Sequence, residues 1–244
     1  MTHITLAVTG SISAYKAADI TSQLTKLGFE VKVLMTPSAQ KFITPLTLQV
    51  LSKNQVGLDV MMEDDPQRIE HINIGKETDL FLVAPASANT IAKLAMGLAD
   101  NMVTSTALAL PQRTKKLLAP AMNTKMLEHP ATQRNLKLLQ DYGYQIIQPR
   151  DAVLACGDKG AGALAPIETI VELLRRIVYE KIIFYFTNCH LFCGDDHHSL
   201  CDVLHSAICS IRNSTNLGSY SCRDRLYHIR STDWSYLRTP HGTL

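Results

Sequence analysis

The 244-residue chain is 46% hydrophobic, enough for a sizeable buried core, and its 24 basic and 22 acidic residues leave a formal charge of +2. Its Lys and Arg residues are scattered among acids rather than gathered into a stripe, which excludes an electrostatic footprint for nucleic acid and makes small molecules the expected partners. No basic leader precedes the strand-like ITLAVTG, and no apolar run reaches membrane-spanning length, so a cytoplasmic protein with no membrane partner is expected.

Residues 1–178 alternate β-rich apolar runs with helical periodicity. Strands are predicted at 4–9, 30–35, 79–84, 116–121 and 144–148, and helices at 14–27, 39–51, 90–96, 101–110, 125–142 and 167–178. Most of the strands are too continuously apolar for a sheet with one wet face. The alternation therefore predicts an α/β fold, a doubly wound parallel sheet in a three-layer, Rossmann-like α/β/α arrangement. In such sheets ligands sit beyond the carboxyl ends of the strands, so the residues just after each strand are the ones to inspect.

The first strand runs into TGSISAYK, where Gly10 allows a tight turn and Ser11, Ile12 and Ser13 lead into a helix. Free backbone amides and a hydroxyl there suit an anion, although an ordinary serine-capped turn has the same sequence. The dinucleotide fingerprint is missing, since there is one glycine and the second strand ends in Met35, Thr36 and Pro37 without an acid for a ribose. A mononucleotide phosphate fits better. MTPSAQKF repeats the pattern with Thr36 and Ser38 as hydroxyls ahead of a helix.

In APASANT, Pro85 is expected to stop the third strand, with Ser87 and Asn89 presenting polar groups and Asn89 a candidate N-cap. His71 lies among Ile69, Ile72 and Ile74, a setting in which a lone histidine is more often structural. LLAPAMNTKM has the grammar of APASANT: Pro120 ends strand pairing, Asn123 starts a helix, and Met122 and Met126 read first as core filler. Cys156 stands in ACGDKGAG, a loop whose glycines suggest a movable flap and whose thiol is either reactive or passive. No metal-ligand spacing, serine triad or P-loop is found in this part.

Composition changes after Val178. Cys156 is the single cysteine before that point, whereas Cys189, Cys193, Cys201, Cys209 and Cys222 crowd into residues 179–244. Two parts are expected, 1–178 and an atypical Cys/His-rich tail, 179–244, with weak periodicity. A zinc cluster of Cys189, Cys193, His197, His198 and Cys201 would match no standard finger spacing. A shifted reading frame or gene-end artefact with partial disorder is the expectation for the tail.

TGSISAYK, the EHI around His71, APASANT, PAMNTKM and ACGDKG, in this order, resemble the flavin-containing cysteine decarboxylases over roughly residues 3–178. The resemblance is strongest to the branch that acts on 4'-phosphopantothenoylcysteine in coenzyme A biosynthesis. It implies FMN as cofactor, held by Gly10, Ser11, Ile12, Thr36, Ser38, Ser87, Ala88 and Asn89. It further implies that His71 is catalytic, that Asn123 holds the substrate carboxylate with Met126 beside it, and that Cys156 in the substrate-covering flap donates a proton. The implied reaction oxidises the cysteinyl end to a thioaldehyde, releases CO2 and reduces the product to 4'-phosphopantetheine, with no net redox change. A homo-oligomer, trimer or dodecamer, with His71 contributed across the subunit interface, is implied as well. Relatives acting on peptidyl cysteine or prenylating FMN are disfavoured by the ACGDKG flap, and a non-catalytic regulatory relative by the presence of both His71 and Cys156.

Overall fold

Five parallel strands, β1 His3–Val8, β2 Glu30–Met35, β3 Leu80–Ala86, β4 Lys115–Pro120 and β5 Tyr144–Ile146, form a sheet in the order β2-β1-β3-β4-β5. Ile4 pairs with Val31 on one side and with Leu80 on the other, so β1 lies inside the sheet. The structure, a computed structural model, describes residues 2–62, 68–155 and 157–192, with the backbone alone for 181–192. The chain divides into two compact units, Met1–Lys181 and Ile182–Leu244.

Both faces of the sheet are covered because successive strand residues enter different cores. Ile4, Leu6, Val8, Val33 and Leu82 pack with α1 (Ala17–Lys26), α2 (Pro45–Ser52) and α8 (Ile167–Phe192), through residues such as Ile20, Leu48 and Leu174. Ala7, Leu34, Phe81, Val83 and Leu118 face the other way. They meet Ile74 of α3 (Glu70–Glu77), Ile91 of α4 (Ala88–Met96), Val103 of α5 (Met102–Leu108) and Leu139 of α7 (Pro130–Asp141). Continuous apolar strands are what this two-sided burial requires. The expected doubly wound parallel sheet is present. Among the described residues, no helix is long and apolar enough to cross a membrane.

Several elements differ from the sequence expectation. The strand expected to stop at Pro85 continues to Ala86: pairing with β4 shifts between Val83 and Ala86, then resumes with Ala86 opposite Pro120. Proline, which lacks an N–H, is tolerated where the ladder slips. The helix expected over 125–142 is two, α6 (Thr124–Glu128) and α7, because Pro130 occupies the first position of α7 and His129 Nδ1 caps it by accepting from Ala131 N at 3.2 Å. The helix expected over 39–51 is likewise a 3-10 turn, Ala39–Lys41, followed by α2. Thr44 before Pro45 is extended, as the proline ring demands of its predecessor. The eight-residue α3 was hidden in RIEHINIG, and the glycine-rich loop contains an antiparallel hairpin, β6 (Arg150–Val153) and β7 (Lys159–Ala163). Helix α8 runs past Val178 to Phe192, and the proposed tail ligands Cys193, His197, His198 and Cys201, with Cys209 and Cys222, lie outside the described residues.

Phe81 is fully buried in the central strand β3. Replacing it with alanine is expected to cost about 3–5 kcal/mol through lost burial and the cavity left behind. A denaturant midpoint unchanged from wild type would show that this core does not hold the sheet.

Candidate active site

The strand order places the reversal of winding between β1 and β3, the position at which sheets ordered 2-1-3-4-5 open a crevice for a mononucleotide such as FMN. The carboxyl ends that border it are tied to one another by side chains. Thr9, fully buried just after β1, donates its hydroxyl to the Pro85 carbonyl at 2.7 Å and accepts from the Ser87 amide at 2.9 Å. Ser11 reaches the end of β4, donating Oγ to the Ala121 carbonyl at 3.2 Å, and its Oγ also accepts from Ser13 N at 3.4 Å, capping the turn Ile12–Lys16. The end of β2 closes from the other side. A Cβ on Gly10 would lie 2.5 Å from Ser38 Cβ, so only glycine permits this approach.

The individual site candidates fall into distinct roles within this cluster. Thr36 is buried, and its Oγ1 accepts from Ala39 N at 3.3 Å, so its hydroxyl is engaged in the turn after β2. Ser38 is exposed at the start of the next turn. Ser87, rather than Asn89, is the N-cap of α4, accepting from Thr90 N at 3.4 Å. Ala88 and Asn89 occupy the first turn of that helix, where peptide N–H groups have no helical carbonyl to bond. Ile12 is 58% exposed beside these polar ends. The glycine-lined approach, hydroxyls and first-turn amides beside an exposed aliphatic side chain fit a ligand with an anionic tail and an apolar ring system, which is the chemistry of FMN.

Asn123 stands next along the carboxyl edge. It caps α6, with Oδ1 accepting from Lys125 N at 2.9 Å, and its Nδ2 donates to the Asp158 carboxylate at 3.3 Å. Asp158 belongs to the connection between β6 and β7, and this hairpin lies directly on the Asn123 segment: Met122 N donates to the Gly162 carbonyl at 2.9 Å. A Cβ on Gly162, where φ is +142°, would come within 2.2 Å of the Met122 carbonyl oxygen, and one on Gly160 within 2.7 Å of Thr124 Oγ1. Gly162 thus permits close approach to the Met122 backbone and Gly160 to the Thr124 side chain. Met126 is half-exposed on α6 instead of filling the core, whereas Met122 packs against it.

Cys156 lies outside the described residues, between Ala155 and Gly157. His71 is half-buried in the first turn of α3, on the sheet face that holds Phe81 and Ile74, and its neighbour Glu70 pairs with Lys32 at 3.2 Å. The contacts thus bring Gly10, Ser11, Ser38, Ser87 and the Asn123 segment together along one edge, while His71 comes from a different element. Among the described residues, no three His, Cys, Asp or Glu side chains converge as a metal site. The clearest ionisation shift lies elsewhere: burial pushes the Tyr144 phenol upward at the opposite, amino end of β5. Thr9 has no signal in the sequence, since its position before Gly10 does not betray its bridging bonds, and Asp158 in the glycine-punctuated loop reads without a partner, which lies 35 residues away.

The flavoprotein family profile matches residues 1–179. A probable phosphopantothenoylcysteine decarboxylase of Streptococcus mutans is 64% identical over 173 residues, a match covering 71% of this chain and 97% of that protein. The chain spans 44% of the length of the bifunctional coenzyme A biosynthesis protein of Bacillus subtilis. Among solved structures, a mutant PPC decarboxylase complexed with pantothenoylaminoethenethiol superposes with a TM-score of 0.66 at 32% identity, covering 73% of this chain and 98% of that one. The FMN-dependent cysteine decarboxylase SpaF superposes with a TM-score of 0.61 at 28% identity, covering 70% and 93%. With its winding order, its glycine-lined strand ends and these matches, the chain belongs to the flavoprotein family.

Proposed function

We propose that the chain is an FMN-dependent carboxy-lyase that converts 4'-phosphopantothenoylcysteine to 4'-phosphopantetheine in coenzyme A biosynthesis. The observation that carries this reading is Asn123: an uncharged amide at the end of β4, held from both sides and placed beside an anion-suited crevice. The similarity to the Streptococcus mutans protein, whose name specifies this substrate, supports it.

FMN would be held by Gly10, Ser11, Ile12, Thr36, Ser38, Ser87, Ala88 and Asn89, and the chemistry it supplies when bound is reversible two-electron transfer to and from the cysteinyl carbon–sulfur unit. Asn123 binds the substrate carboxylate through hydrogen bonds, without the full ion pair that would oppose loss of its charge in the transition state. Met126, exposed on the same short helix, packs against the substrate beside it. Cys156 supplies the proton that replaces CO2 on the product carbon, and His71 accepts or relays a proton. The enzyme works in the cytoplasm as a homo-oligomer, a trimer or dodecamer, in which His71 reaches the crevice of a neighbouring copy. Residues 1–178 form the FMN-binding decarboxylase domain, and 179–244 follow as an atypical Cys/His-rich tail.

Two substitutions separate cofactor binding from substrate binding. Thr9→Val keeps the side-chain volume but strands the Ser87 amide and the Pro85 carbonyl, so FMN affinity in a fluorescence-quenching titration is expected to fall about tenfold, with Thr9→Ser restoring it. Equal affinity in the valine variant would remove Thr9 from the site's support. Asn123→Asp sets a second negative charge against the substrate carboxylate and is expected to raise KM for 4'-phosphopantothenoylcysteine at least about tenfold while FMN still binds. An unchanged KM in a CO2-release assay would take Asn123 out of the substrate site, and wild-type protein that binds FMN but releases no CO2 would overturn the proposed reaction.

A further inference from the structure

Main-chain bonds hold Asp158 beside Asn123 without help from its side chain. Leu154 N donates to the Asp158 carbonyl at 2.8 Å and Gly157 N to the Leu154 carbonyl at 2.8 Å, which closes the turn between β6 and β7. Met122 N donates to the Gly162 carbonyl at 2.9 Å, which seats β7 on the Asn123 segment. Asn123 is oriented from its own side: Oδ1 accepts from Lys125 N at 2.9 Å, so its nitrogen is the end directed at groups beyond α6. That nitrogen donates to the Asp158 carboxylate at 3.3 Å, just outside the usual span of about 2.7–3.2 Å for such a bond, and so adds little to the grip of the hairpin. What Asp158 brings to Asn123 is a negative charge.

An amide nitrogen carries two N–H groups, so a carboxylate ligand on Asn123 and the Asp158 carboxylate share one nitrogen. Two such bonds set the carboxylates about 5 Å apart, and like charges at that distance repel. A site that only had to hold a carboxylate would place a cation there. We propose that Asp158 takes part in the decarboxylation step by opposing the substrate carboxylate in the bound state; this rests on the function proposed above. In that step the carbon–carbon bond to the carboxylate breaks, its electron pair passes to the sulfur of the oxidised cysteinyl end, and CO2 leaves uncharged. The negative charge thereby moves away from Asp158, and the repulsion falls as the transition state is reached. Asp158 thus weakens binding of the carboxylate and quickens its loss by the same factor. The side chain is exposed, and screening by water limits that factor to about fivefold.

The test is Asp158→Asn in the FMN-loaded, full-length chain, a change that keeps an oxygen to accept from Asn123 and removes only the charge. Single-turnover CO2 release from saturating 4'-phosphopantothenoylcysteine is expected to slow about fivefold. In calorimetric titration, 4'-phosphopantothenoylserine, which keeps the carboxylate but has a hydroxyl in place of the reactive thiol, is expected to bind about fivefold more tightly than to wild type. The product 4'-phosphopantetheine, which has no carboxylate, is expected to bind both proteins alike. A merely structural Asp158 would leave all three readings unchanged, or weaken both ligands together, and either result overturns the inference. Tighter binding of the serine compound with CO2 release at the wild-type rate overturns it as well. No CO2 from wild type overturns the proposed reaction and this inference together, whereas wild-type turnover with any of the preceding results overturns the inference alone.

Discussion

The buried hydroxyl of Thr9 holds together the ends of β1 and β3 at the place where the winding of the sheet reverses. A parallel sheet parts its two sets of connections at such a point and leaves a crevice, but a crevice alone does not fix the positions of the groups that line it. Thr9 supplies that constraint by donating to one backbone group of the next strand end and accepting from another. Ser87 is thereby fixed as the cap of α4, and the first turn of that helix is aimed from a set position. Ser11 extends the same tie to β4 and Gly10 admits β2 to close contact, so four strand ends form one connected rim.

The second half of the site is built on that rim. Asn123 follows the last residue of β4 by three positions, and its amide is engaged on the oxygen side by the backbone of α6 and on the nitrogen side by Asp158. A polar side chain fixed at both ends presents a defined face to a ligand, which is what selective binding of a carboxylate needs. The hairpin that carries Asp158 lies against the Met122 backbone at Gly162 and the Thr124 side chain at Gly160, so the hairpin and the Asn123 segment are one packed unit.

Much of this was legible in the sequence because the physics that produces it is local. Uninterrupted apolar strands reported burial on both faces, and hydroxyl- or amide-bearing turns after the strands reported where helices begin at the carboxyl edge. Elements stayed hidden where local signals conflict or the cause is remote. Pro85 reads as a strand stop, yet a register slip in the ladder absorbs it. Pro130 splits a continuous helical pattern that periodicity alone would merge. The bonds of Thr9 to residues 76 and 78 positions away, and of Asn123 to Asp158, have no signature in spacing. Glycines in ACGDKGAG were legible as special, but whether they serve motion or close contact depends on what lies against them, and the structure places Met122 and Thr124 there.

The rim at the β1/β3 reversal is the proposed flavin site, and the crystal structure of the full-length chain grown with FMN tests that most directly. The expected result is one FMN per chain with its phosphate on the backbone and hydroxyl groups of Gly10–Ile12 and the first turn of α4, and its ring system reaching toward Asn123. FMN bound away from Thr9, Gly10 and Ser87, or crystals whose strand ends remain empty at saturating FMN, would contradict it.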